Sequence, residues 1–133
     1  MKPLHPLLDL AATQHGLLHV RQLDGLGWTA WERRRLSLDG VVVDLGNGVV
    51  RLVGSVDTPE QRIMLGVLGT GAHAVASHGS AAYLWGALSA IPDGPIDVLT
   101  RRDERSYRSR ADCRVHRPVD WLDVGTARQA NVP

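Results

Sequence analysis

The 133-residue sequence predicts an α+β protein, and three observations carry that expectation. Short amphipathic helical stretches alternate with short apolar runs bounded by glycine, rather than forming one long periodic pattern. Thr29 to Leu36 reads as a basic helix, and Val41 to Val53 as a hairpin turned at Gly46-Asn47-Gly48. Beyond Ser55 helix starts alternate with strands, as in a small α/β unit. A helix, a tight turn, a basic helix and a glycine-turned hairpin follow the order of a winged helix-turn-helix. The expected organisation is therefore such a domain over residues 1–56, followed by a small α/β region over 57–133 that looks incomplete at its C-terminus.

The first helix is expected from Pro6 to His15. Leu4, Leu7, Leu8 and Ala11 recur at i, i+3, i+4 and i+7, and Gly16 supplies a left-handed stop. Leu17-Leu18 makes a short extended piece. A second helix spans Val20 to Leu26 with Val20 and Leu23 inward and ends at Gly27; Trp28 plugs the angle before the third helix. Thr29 and Glu32 form a capping box that fixes where the third helix starts. Arg33, Arg34 and Arg35 are about 100° apart around that helix, so they cannot share one buried face. Trp31, Arg35 and Leu38 share a face with Trp28 and Leu36 lies off it, which leaves the inward side open.

Strand alternation puts Val41, Val43 and Leu45 on one face of the hairpin, with Val42 and Asp44 on the other. Val50 and Leu52 are expected inward, Val49 and Arg51 outward. Arg51 is either a phosphate contact or a cross-strand partner of Asp44. Thr58-Pro59-Glu60-Gln61 starts a helix with Thr58 as cap and Gln61 at the box position; its buried face is Ile63, Met64, Val67 and Leu68. Ala74 to Ala76 is a short strand, and Ser77 caps a helix through Leu88. Pro92-Asp93-Gly94-Pro95 turns the chain into the strand Ile96 to Leu99. Asp103 to Arg110 is a polar loop, and Cys113 to His116 is a strand paired with the previous one.

Composition narrows the function classes. Net charge is +1, but residues 1–56, 57–100, 101–117 and 118–133 carry +1, −3, +4 and −1, so basicity is local. The lone Cys113 excludes an internal disulfide and points to a reducing, cytoplasmic setting. No run approaches the roughly 18 apolar residues of a membrane span. No metal site is expected. Gly16 separates His15 from His19, and Cys113 and His116 would face opposite sides of a strand, short of a four-ligand set. Ser77, His78 and Ser80 read as capping and packing, because no acidic residue is evident to orient a nucleophile; phosphate at that helix start is the lesser alternative. No cofactor glycine pattern is present and no catalytic residue is assigned.

The motif order also resembles the N-terminal domain of AbiEi-type antitoxins of type IV toxin–antitoxin systems, which also precedes Vsr-like endonuclease domains. The matching stretches are His15-Gly16-Leu17-Leu18, Gln22-Leu23 with Gly27-Trp28-Thr29, Arg33-Arg34-Arg35, and Gly48-Val49-Val50-Arg51-Leu52. Further on they are Ser77 to Ala82 with Leu84-Trp85-Gly86, Ile96-Asp97-Val98, and Val115-His116-Arg117. Val50 departs from a wing tyrosine, and Gly79 from a longer residue. The resemblance implies a DNA-binding regulator that represses its own promoter and counters a nucleotidyltransferase-like toxin. It also implies that similar proteins continue past this point, so nuclease activity is not carried over. Thr29, Arg33, Arg34, Arg35 and Arg51 are the expected DNA contacts. The bland alternative for the arginines is a solvated helix face. The alternative for the whole chain is a protein-interaction module, docking a partner or a missing C-terminal domain, or a noncatalytic remnant of an endonuclease fusion.

Overall fold

A computed structural model describes residues 2–101, 113–117, 127–129 and 131–133. It is an α+β arrangement of two three-stranded sheets with helices around and between them. The chain begins with α1 (His5–Ala12), β1 (Leu17–His19), α2 (Val20–Gly25) and α3 (Ala30–Leu38). The hairpin strands β2 (Val42–Gly46) and β3 (Val49–Leu52) follow. The first sheet is antiparallel in the order β1-β3-β2. Next come α4 (Pro59–Thr70), β4 (Val75–Ala76), α5 (His78–Leu84), β5 (Ile96–Leu99) and β6 (Cys113–His116). In the second sheet, order β4-β5-β6, β4 runs antiparallel and β6 parallel to β5.

The first sheet is covered on both faces. Adjacent strand residues point to opposite sides, and Leu17 and Leu18 enter different cores. Leu18 and Val50 pack with Leu7, Ala11, Leu23, Trp28 and Leu36 of the first three helices. Leu17 and Val49 pack with Ile63, Met64, Val67 and Leu68 of α4, and the same core reaches Ile96 and Val98 of the second sheet. α4 is thus wedged between the sheets, and packing runs straight across the boundary expected near residue 56. Gln61 reinforces the join. Thr58 Oγ1 accepts from its N–H at 3.0 Å, while its side chain donates to the His15 carbonyl at 2.8 Å rather than closing a capping box.

Several expectations are corrected by tertiary context. α1 stops at Ala12, not His15, because the chain coils back: the Gly16 N–H reaches the Ala11 carbonyl at 2.8 Å, with Gly16 at φ +84°. A Cβ at Gly16 would lie 2.5 Å from that of Ser55, so only glycine fits there. In the hairpin the face of Val42 is the one packed under the first three helices. Val42 is buried at 4% exposure, whereas Val43 is open at 41%. Leu45, two residues after Val43 and on the same side, packs against the α4 core, and the register shifts there between Asp44 and Gly46. Val49 is fully buried, not outward, because α4 covers the face that a two-layer domain would leave wet. α5 ends at Leu84, and Trp85 is exposed.

Gln129 and Val132 form an antiparallel bridge beyond the expected elements. Val132 is buried in the α4 core, and the Ala76 N–H donates to the Pro133 carbonyl at 2.8 Å. The loop expected at Asp103 to Arg110 lies outside the described residues. Among the described residues no helix is long and apolar enough to cross a membrane.

Candidate nucleic-acid interface

The surface of interest is built from the N-terminus of α2, the whole of α3 and the β2–β3 hairpin. The start of α2 is fixed by His19, fully buried on β1. Its Nδ1 accepts from the Arg21 N–H at 3.1 Å, and the Gln22 side chain accepts from the His19 N–H at 2.9 Å. This is a capping box with histidine in place of the usual hydroxyl. With Nδ1 accepting, Nε2 carries the proton and donates to the Asn47 carbonyl at 3.1 Å. The hairpin turn is therefore tied to the helix. Burial, reinforced by the nearby Arg21 charge, lowers the His19 pKa to about 4. The sequence signal for this role is the glutamine three residues after His19, at the capping-box position.

Asn47 (φ +52°) and Gly48 (φ +78°) form the two-residue turn, both left-handed. A Cβ on Gly48 would stand 2.7 Å from the His19 ring. The turn requires glycine for space as well as for φ.

α3 begins as expected. Thr29 Oγ1 accepts from the Glu32 N–H at 3.2 Å, and the Glu32 carboxylate accepts from the Thr29 N–H at 3.0 Å. That backbone hydrogen bond, helped by Lys2, holds the Glu32 carboxyl below its usual pKa. Lys2 lies 3.6 Å from Glu32, donates to the Gly27 carbonyl at 2.9 Å, and sits over the Trp28 ring. Leu36, 6% exposed, is the residue α3 buries. The inward side left open by the sequence is thus Leu36, and Trp31 and Leu38 face outward at 69% and 64% exposure.

The three arginines have three different environments. Arg33 turns back along α2, where its NH1 is bonded to the Asp24 carboxylate and donates to the Trp28 carbonyl at 3.1 Å. It braces α2 against α3. Arg35 pairs with Asp39 one turn on at 3.2 Å, with its guanidinium over Trp31. Arg34 is exposed and has no partner among the described residues. Arg33 and Arg34 stand at the edge of a cleft of about 240 Å³ between α3 and the hairpin, floored by Leu23, Leu36, Val42 and Val50.

Arg51 is not brought to this group. It lies opposite Leu17 and Val43 in the sheet, so its side chain is on the α4 face, away from α3. Asp44 pairs in register with Val50 and accepts from the Gly46 N–H at 2.8 Å, so it is not the cross-strand partner of Arg51 either. Among the described residues the Arg51 Nε is buried without a partner.

The second region holds one polar cluster. The Ser77 hydroxyl does not cap α5; it is bonded to the His78 Nδ1 at 2.9 Å. The acidic residue missing from the sequence argument is Asp97, but it serves His116, at 3.0 Å, and Arg114, at 3.5 Å. His78 only stacks on His116, with ring centroids 3.9 Å apart. The Ser80 Oγ accepts from the Asp97 N–H at 2.9 Å. These contacts fasten α5 to β5 and β6, and they do not join a nucleophile, a base and a carboxylate in series. Among the described residues no three His, Cys, Asp or Glu side chains are grouped to hold a metal ion.

No protein-family model matches the chain, and neither does any curated protein.

Proposed function

We propose that this chain is a cytoplasmic, noncatalytic regulator of antitoxin type that binds duplex DNA. In this proposal residues 1–56 act as a winged helix-turn-helix, with α3 entering the major groove and the β2–β3 hairpin lying along the backbone. The observation that carries it is the exposed Arg34, without a partner among the described residues, on a capped helix standing beside a hairpin whose turn is locked to α2. Arg34 supplies the principal base or phosphate contact. Arg35 is available by giving up an exposed pair with Asp39, which is worth little in water. Thr29 fixes where the helix begins. Arg33 acts as a brace rather than a contact, and Arg51 serves the α4 side. The small α/β region, with α4, holds the module and presents the second surface, where a cognate toxin or a further domain would dock.

The test is titration of labelled duplex from the chain's own upstream region at several salt concentrations. Affinity is expected to fall as salt rises, and Arg34→Ala to weaken binding by about 1–3 kcal/mol. Binding that is absent, or indifferent to salt, refutes the proposal.

A second reading rests on a different feature. Leu4, Trp28, Trp31, Leu36 and Val41 line a groove of about 490 Å³ on the other flank of α3. It supports a protein-interaction module, which a stoichiometric complex formed without any DNA affinity would favour.

A further inference from the structure

We infer that the outer face of α3 selects duplex sites in which a guanine is flanked by thymines, with Arg34 on the guanine and Trp31 and Leu38 on thymine methyl groups. This rests on the DNA-binding proposal above. At about 100° per residue, Trp31, Arg34 and Leu38 fall within about 60° of one another. Their shared direction is opposite Leu36, the side the helix buries. A helix face turned to water is ordinarily polar. Here it exposes a tryptophan and a leucine around the Arg34 guanidinium, with the Arg35 guanidinium over the tryptophan ring.

The charges around that face favour a nucleic acid over an acidic or neutral surface. Three carboxylates at or near α3 are paired, Asp24 with Arg33, Glu32 with the Thr29 N–H and Lys2, and Asp39 with Arg35, while Asp44, across the cleft on β2, accepts from the Gly46 N–H. Among the described residues Arg34 is the α3 cation left without a carboxylate partner. The major groove offers matching partners. Guanine presents two acceptors, N7 and O6, to an arginine fork, and thymine presents the C5 methyl.

Spacing fits as well. Trp31 and Leu38 are seven residues apart, about 10.5 Å along a helix rising 1.5 Å per residue. That is roughly three base-pair steps of about 3.4 Å, with Arg34 between them. The expected site is short and centred on guanine, with thymine on either side.

The experiment selects duplexes from a randomised pool with the full chain. The selected duplex is then compared with the same duplex carrying deoxyuridine for thymine, which removes only the methyl groups. Loss of one buried methyl contact is expected to weaken binding about fourfold. Trp31→Ala, a change at an exposed position, should bind thymine and uracil duplexes with more nearly equal affinity, and Trp31→Ala with Leu38→Ala should bind them equally. Selection of guanine flanked by thymines, with these responses, supports the assignment. Firm DNA binding that ignores the uracil exchange overturns this inference and leaves the DNA-binding proposal standing. No binding to any duplex overturns both. A change in oligomeric state for Trp31→Ala, seen by light scattering and without a change in thymine discrimination, assigns the face to protein contact instead.

Discussion

Acidification should loosen the fold through one residue, His19. Its ring is fully buried and accepts at Nδ1 from a backbone N–H, so it must stay neutral in the native state. The folded pKa of about 4 compares with 6.5 for the free side chain. Because the folded value is the lower one, the unfolded chain takes up a proton first as pH falls. Stability from this residue is therefore complete above pH 6.5 and is lost between pH 6.5 and 4. A difference of about 2.5 units corresponds to roughly 3 kcal/mol over the whole window, and about 2 kcal/mol is already lost at pH 5. That is a large part of the 5–15 kcal/mol typical of a folded domain. The assay is urea unfolding followed by tryptophan fluorescence at pH values from 7.5 to 4.5. His19→Asn keeps a capping acceptor without the titrating ring. The difference between the two proteins isolates His19 from the other five histidines. Wild type should lose stability relative to the variant as pH falls, with a slope approaching one proton. Parallel profiles would refute the assignment of a buried neutral imidazole.

Gly48→Ala should destabilise by about 1–3 kcal/mol, because its Cβ would meet the His19 ring at 2.7 Å and φ is +78°; the urea midpoint at pH 7.5 reads this directly. Thr29→Ala should cost about 1 kcal/mol by removing the α3 cap, and His19 should keep its pH dependence in that variant. Asp24→Asn should free the Arg33 guanidinium and steepen the salt dependence of DNA binding by up to about 1, measured by anisotropy; an unchanged slope would show that Arg33 stays tied to the Trp28 carbonyl. Leu36→Ala should destabilise by about 2–5 kcal/mol as the α3 anchor, with a lowered urea midpoint at pH 7.5; a much smaller loss would contradict the inward side assigned to α3.

The local elements were legible where a short-range rule governs them. Thr29 with Glu32 announced the start of α3, Thr58 with Pro59 the start of α4, and Gly46-Asn47-Gly48 the hairpin turn. Each is decided by hydrogen bonds or dihedrals within about four residues. The site was legible only in outline. That three arginines could not all be buried followed from helix geometry, but which one stays free depends on Asp24, nine residues earlier across the α2–α3 turn. Alternation along β3 puts Arg51 on the side of Val49, but which helices cover that side depends on α4, later in the chain.

By itself, then, the sequence determined the mixed α+β class, the capped basic helix and the glycine turn, because these are written in neighbouring residues. Tertiary structure alone decided that α4 covers the second face of the first sheet, that Leu36 rather than Trp31 is buried, and that Arg34 is left without a partner among the described residues. Those outcomes depend on which surfaces meet across residues distant in the chain, where burial and charge pairing override any local periodicity.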